Sequence, residues 1–165
     1  MGGTGDYHFE AVDFQGIMRN FLTRVAKILP STVTFRSDQA AGSCLVVCDN
    51  NLLESVLENL VINAVNAMPG GGRIEIRWGL SEDGGQVFVE ICDSGPGLPD
   101  AVLAALEGGT PPASSGRPGR IGLGLVNARR IIVRLHGGQL KLERLAEGSR
   151  VAIVLPLAPW SAEVA

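Results

Sequence analysis

Several things are scarce in this chain of 165 residues. Aromatic residues make up 5% of it, so aliphatic side chains must fill the core. There are three cysteines, Cys44, Cys48 and Cys92, with no C-x-x-C spacing. An odd, unpaired set excludes a disulfide framework and a zinc site. Free cysteines are usually small buried hydrophobes, and these three read as reduced core residues. No apolar run approaches the ~20 residues of a membrane helix, and no signal peptide opens the chain. The expected location is the cytoplasm, with no membrane contact by this domain. Fourteen Lys and Arg stand against seventeen Asp and Glu, a net charge of −3. Without a basic excess, nucleic acid is not the expected partner. There are two histidines, His8 and His136, and the Walker pattern G-x-x-x-x-G-K-[ST] is absent.

What is present is a globular composition, 45% hydrophobic and 19% charged, with mean hydropathy +0.22. The length suits one domain with its own core. Residues 1–7 read as a linker or cloning remnant, 8–158 as the domain and 159–165 as a tail. The 22 glycines exceed the usual ~7% share.

The periodicity predicts a short strand over 9–12. A helix capped by Asp13 follows, with Ile17, Phe21, Val25 and Ile28 on one face. Strands are predicted at "TVTFRSD" and "CLVV". The next helix is capped by Asp49 and runs to about Met68. "RIEIRWGL" and "QVFVEICD" form a hairpin. A short helix lies near 99–106, and "LGLVNARRIIVRLH" makes a longer one closed by Gly137 and Gly138. "QLKLERL" and "SRVAIVLPL" form a last hairpin. This order predicts an α+β fold, a two-layer sandwich in which a mixed, mostly antiparallel sheet carries about three helices on one face.

Three stretches carry chemistry. In "ENLVINAVNAMPGGG", Asn59, Asn63 and Asn66 interrupt an otherwise buried helix and, with Ser55, form one polar stripe. Glu54 and Glu58 form an acidic row beside it. A solvated face usually carries Lys, Glu, Gln or Arg, which favour helix. Repeated amides, poor helix formers, point instead to ligand contacts, because an amide oxygen can ligate a hard cation such as Mg²⁺. In "DSGPG", Asp93 follows a strand and its carboxylate can accept from an exocyclic amino group. Gly95 and Gly97 permit close backbone approach to a flat ring, although a sharp turn explains them equally well. In "GRIGLGL", glycines opening a helix expose N–H groups to an anion, with Arg117 and Arg120 nearby; a glycine-rich loop is the plainer reading.

Taken in order, these motifs resemble the ATP-binding domain of sensor histidine kinases, whose wider family includes gyrase-type, Hsp90-type and MutL-type ATPases. "NAVNAMPGGG" is most similar to nitrogen-regulation-type kinases. The resemblance covers roughly residues 12 to 157 and implies the Bergerat ATP-binding fold, with ATP and Mg²⁺ as cofactors. It implies Asn63 as the magnesium ligand and Asn59, one turn earlier, facing the phosphates. Asp93 would read adenine, with Gly95 and Gly97 lining its pocket. Arg120, Gly122, Leu123, Gly124 and the amide of Leu125 would contact phosphate, and residues 108–120 would form the lid. Asn66 stands where many of these kinases carry a lysine or arginine, and it is counted with the nucleotide contacts. The lid has no phenylalanine.

Gyrase-like ATPases place a glutamate four residues before the magnesium asparagine; here that residue is Asn59, which cannot take a proton. This favours the kinase branch, with Glu58 and Asn59 as catalytic candidates. Neither histidine lies in an acceptor motif, and His136 reads as structural. The expected function is transfer of the ATP γ-phosphoryl to a histidine on a separate dimerisation domain, with a response regulator downstream and the isolated domain a monomer. The alternatives are an anti-sigma-type serine kinase on the same fold and a degenerate, non-catalytic nucleotide-binding module.

Overall fold

The computed structural model describes residues 6–40, 42, 44–108 and 120–157. Strand β1 (Glu10–Asp13) leads into helix α1 (Phe14–Ile28), where Asp13 accepts a hydrogen bond from the Gln15 N–H as N-cap. Phe14, Ile17, Met18, Phe21 and Val25 are buried along one face. Strands β2 (Val33–Gln39) and β3 (Leu45–Cys48) follow. Helix α2 (Asn50–Asn66) is capped by Asp49, whose side chain accepts from the Leu52 N–H. It ends two residues before Met68, the predicted limit, as Pro69 and the glycines take over. Then come β4 (Gly72–Leu80), β5 (Gln86–Asp93), α3 (Asp100–Gly108), α4 (Arg120–Arg129), β6 (Gln139–Arg144) and β7 (Ser149–Pro156).

The five-stranded sheet has the order β2-β4-β5-β7-β6, and β1 pairs β3 in a separate ribbon. Only β2 with β4 is parallel; the other pairs are antiparallel. Side chains alternate across each strand. Ile74, Ile76 and Trp78 of β4, Val87, Val89 and Ile91 of β5, and Val151, Ile153 and Leu155 of β7 are all buried. Helices α1, α2 and α4 lie side by side over that face, and Phe14 meets Trp78 edge to face with centroids 6.0 Å apart. The opposite face carries exposed Arg73, Glu75 and Arg77. One expectation fails there. Cys92 is not a core residue: it lies on this open face, half-buried, opposite Arg150 of β7. Cys48 is fully buried and Cys44 half-buried.

The helix predicted over 123–136 is not uniform. After Arg129 it widens into a π-helical segment, Arg130–Leu135. The His136 N–H bonds the Ile131 carbonyl five residues back, at 3.1 Å. One added residue per turn hardly alters the spacing of apolar positions, so periodicity does not reveal it.

Candidate functional site

The C-terminal halves of α2 and β5 run out at the same end of the sandwich. Between them lies a narrow cleft of about 50 Å³, lined by Asn63, Ala64, Ile91, Asp93, Gly97, Leu98, Leu125 and Ser149, among others. A wider groove of about 370 Å³ lies elsewhere, between α1 and β2. Chemistry rather than volume singles out the narrow cleft.

Asp93 closes β5 and pairs with Ser149 of β7. Its Oδ1 accepts the Gly95 N–H at 2.9 Å. Burial pushes the Asp93 carboxyl above the usual carboxylate range, and the backbone N–H groups of Gly95 and Ser149 offset only part of that. A desolvated carboxylate in a cleft is a functional-site signature. Asn63 faces it from α2. Its Nδ2 is buried and has no hydrogen-bond partner among the described residues. An unpaired buried amide costs about 1–3 kcal/mol, so the position needs a reason beyond folding. Gly124 of α4 passes directly over this amide: a Cβ there would sit 3.4 Å from Asn63 Nδ2.

The remaining predicted residues divide. Gly97, with φ +90°, lines the cleft. Gly95 serves it through its N–H bond to Asp93. Asn59 is half-buried and Asn66 exposed, and neither lines the cleft. Glu58 and Glu54 both grip Arg24 of α1, at 2.5 and 2.7 Å. Arg120, Gly122 and Leu123 fall in the first turn of α4. Leu125 is the sixth residue of that helix, where an N–H bonds the carbonyl four residues back. Its side chain is buried in the cleft wall. Most of the predicted lid, 109–119, lies outside the described residues.

Two features escaped sequence reading. The β6–β7 turn crosses Asp93 so closely that a Cβ on Gly148, at φ +93°, would lie 1.7 Å from the Asp93 carbonyl oxygen. Arg144 donates from Nε and Nη2 to the Leu98 carbonyl, at 3.2 and 2.9 Å, and is ion-paired with Asp100. It pins the segment after "DSGPG" from 46 residues away, a separation that leaves no local signal.

A desolvated aspartate, an orphaned amide and a close-fitting glycine helix on one cleft are the features that comparison with known proteins puts in a family. Residues 48–159 match the family model "Histidine kinase-, DNA gyrase B-, and HSP90-like ATPase". The chain belongs to this family. Within it, this ATP-binding domain is of the histidine-kinase type. It is 38% identical over 115 residues to the C4-dicarboxylate transport sensor protein DctS of Rhodobacter capsulatus, covering 68% of this chain and 17% of that protein. It is 33% identical over 131 residues to sporulation kinase C of Bacillus subtilis, covering 79% of this chain and 29% of that protein. The domain thus spans less than a third of the length of either relative. The nucleotide-free catalytic domain of histidine kinase ThkA superposes with a TM-score of 0.75 at 26% identity, covering 92% of this chain and 99% of that one. The mycobacterial sensor histidine kinase MprB gives 0.69 at 27%, with the same coverages. Such relatives do not favour the anti-sigma or degenerate alternatives.

Among the described residues no three His, Cys, Asp or Glu side chains converge on a metal position. Asn63 carries a neutral amide oxygen beside the orphaned Nδ2. An amide oxygen is a ligand type that a hard cation already carrying phosphate and water oxygens accepts.

Proposed function

We propose that this domain binds Mg·ATP in the Asn63–Asp93 cleft and passes the γ-phosphoryl to a histidine on a separate helical domain of its parent kinase. The observation that carries the reading is the buried, partnerless amide of Asn63 facing Gly124 and sharing a cleft with desolvated Asp93. Asp93 accepts the adenine amino group, and the backbone at Gly95 and Gly97 borders the ring. The Asn63 side chain, turned to present its oxygen, would hold the magnesium ion, which would supply charge neutralisation at the phosphates. Asn59 and the first turn of α4, with Arg120, Gly122 and Leu123, border the phosphates, and Asn66 lies at their outer edge. A cleft of about 50 Å³ is smaller than an ordinary ligand pocket, so nucleotide entry moves α4 or the 97–99 segment away from α2.

In the transfer itself the bond from γ-phosphorus to the β,γ-bridging oxygen breaks as one to an imidazole nitrogen forms. ADP leaves, and the imidazole gives the proton of its other nitrogen to solvent water. Glu58, half-buried beside Asn59 on α2 and paired with Arg24, takes the role of orienting that ring once Arg24 shares it. Positioning and charge carry most of such a reaction. A response regulator then receives the phosphoryl group, in the cytoplasm. One relative, ThkA, has been solved with the response regulator TrrA.

Calorimetry with ADP and a non-hydrolysable ATP analogue, with and without Mg²⁺, tests the first half. Saturable, magnesium-dependent binding that Asn63→Asp weakens is the expected result. Incubation with labelled ATP and a matching dimerisation domain tests the second. An acid-labile phosphohistidine is expected there; an acid-stable phosphoserine on another protein would make the domain a serine kinase.

A further inference from the structure

The helical layer stops short of the β2 edge of the sheet and leaves the groove of about 370 Å³ noted above. Phe35 and Trp78 form its floor, Arg19 and Leu22 of α1 one wall, and Ser37 and Gln39 its far end. Residues 33, 35, 37 and 39 share the inner face because side chains alternate. Val33 is buried, Phe35 half-buried, and Ser37 and Gln39 exposed. The core thus fades out along this strand.

The main chain alternates with the same period. Gly72 donates to the Thr32 carbonyl at 3.2 Å and Ala40 to the Trp78 carbonyl at 2.7 Å. Even-numbered residues therefore bond β4. In a parallel ladder the N–H and C=O of one residue turn to the same side, so Phe35, Ser37 and Gln39 turn theirs to the open edge. No strand pairs β2 on that side among the described residues. The same three residues thus offer a groove to side chains and free hydrogen-bonding groups to a backbone. A small molecule would use the first alone; an extended strand uses both. The charge is also set: Arg19 is exposed and makes no ion pair among the described residues.

We propose that β2 is a strand-addition site for an extended segment of another protein, with an apolar side chain over Phe35 and Trp78 and a carboxylate at Arg19. Long exposed edges invite unwanted pairing. The charged Arg36 and Asp38 and the polar Ser37 and Gln39 keep this one from pairing with any apolar strand. Pairing here adds a sixth strand to the sheet and completes the layer that α1 leaves open, away from the nucleotide cleft.

The test is a titration of the nitrogen-15-labelled domain with a synthetic peptide alternating valine and glutamate, matched to the seven residues of β2. Saturable amide shifts at Phe35, Ser37 and Gln39 are expected, with Asp93 and Gly95 unmoved. Arg19→Glu should weaken this peptide about tenfold and tighten a valine–lysine counterpart. Ser37→Pro removes one outward N–H without touching the β4 ladder, and should cost about tenfold; unchanged nucleotide affinity shows that each variant remains folded. The absence of saturable shifts at β2 up to millimolar peptide overturns the proposal, as does equal affinity for the glutamate and lysine peptides. Concentration-dependent dimerisation through β2 would assign the edge to a second copy. Shifts at β2 on deleting residues 158–165 would assign it to the chain's own terminus.

Discussion

The two ends of helix α2 each bury polar side chains, and they treat them in opposite ways. At the N-terminal end the circuit around Asp49 and His136 is closed, although Asn50 Oδ1 beside it is buried with no partner among the described residues. Asp49 Oδ2 accepts the His8 N–H at 3.0 Å and its Oδ1 the Leu52 N–H at 3.2 Å. The Asp49 N–H donates to His136 Nε2 at 3.1 Å, and His136 Nδ1 lies 2.8 Å from the Ile131 carbonyl it donates to. Phe9 covers the imidazole, with ring centroids 5.0 Å apart. Burial alone would raise the Asp49 carboxyl, yet backbone N–H groups of His8, Leu52 and Asn51 outweigh it and hold it below its ordinary value. At the C-terminal end Asn63 is orphaned and burial wins at Asp93. One fold satisfies the polar groups it needs for its own stability. In the proposed reading it leaves Asn63 and Asp93 for the nucleotide to complete.

The sharpest way to break this contrast is Asp93→Asn. An amide has one acceptor oxygen. If the Gly95 N–H keeps it, the amide nitrogen faces the adenine amino group, donor against donor. Affinity for ATP should fall roughly a hundredfold. Stability should move the other way. The raised carboxyl of Asp93 favours the fold while protonated, and that contribution is lost as pH rises through its folded value. Near neutral pH the variant should therefore melt at or above the wild-type temperature, and the gap should close as pH falls through the carboxylate range. Calorimetry and thermal melts at several pH values check both halves. A variant that binds weakly and also melts lower at neutral pH would place Asp93 with Asp49, as a structural group.

The opposite end should respond in reverse. His136→Leu strands the Asp49 N–H, while the Ile131 carbonyl keeps the backbone N–H of residue 136. A loss of about 1–3 kcal/mol in urea unfolding is expected, with nucleotide affinity of the folded fraction unchanged. Loss of affinity beyond that would mean that α2 couples its two ends.

The sequence made part of each end legible. Asp49 reads as a helix cap because it precedes an apolar run, and Asp49 caps α2. His136 reads as structural from the glycines after it, but its partner lies 87 residues away. No periodicity encodes that distance. Asn63 and Asp93 are visible because their residue types are wrong for a plain helix and a plain strand end. The strands themselves follow from alternation to within a residue at either end, and β5 to the residue. What stayed hidden depends on approach in space: Gly148 over Asp93, Arg144 on Leu98, and the π turn that aims the His136 ring. The acidic row of α2 was legible as charge, whereas its capture by Arg24 was not.

A finer probe of the same contrast is Gly124→Ala. The new methyl meets Asn63 Nδ2 at 3.4 Å, a contact the amide can absorb by a small shift. Alanine also improves helix propensity by up to ~1 kcal/mol. Affinity for Mg·ATP should therefore fall several-fold while stability holds or rises slightly. Equal affinity would mean that α4 moves clear of Asn63 when nucleotide enters.

The smallest effect belongs to Arg24, which bridges Glu54 and Glu58 from α1 with its side chain about half exposed. Exposed ion pairs contribute about 0.2–1 kcal/mol, so Arg24→Met should change stability by less than ~1 kcal/mol and leave nucleotide affinity alone. Its value as a test lies in the transfer step. Removing the guanidinium frees the Glu58 carboxylate to accept the imidazole N–H of an incoming histidine. The rate of phosphoryl transfer to an added dimerisation domain should then rise, and the rise should vanish in Arg24→Met combined with Glu58→Gln. If the double variant transfers as fast as Arg24→Met alone, Glu58 takes no part, and the ion pairs act only as a strut between α1 and α2. Glu58 would then belong with the satisfied groups at the other end of the helix.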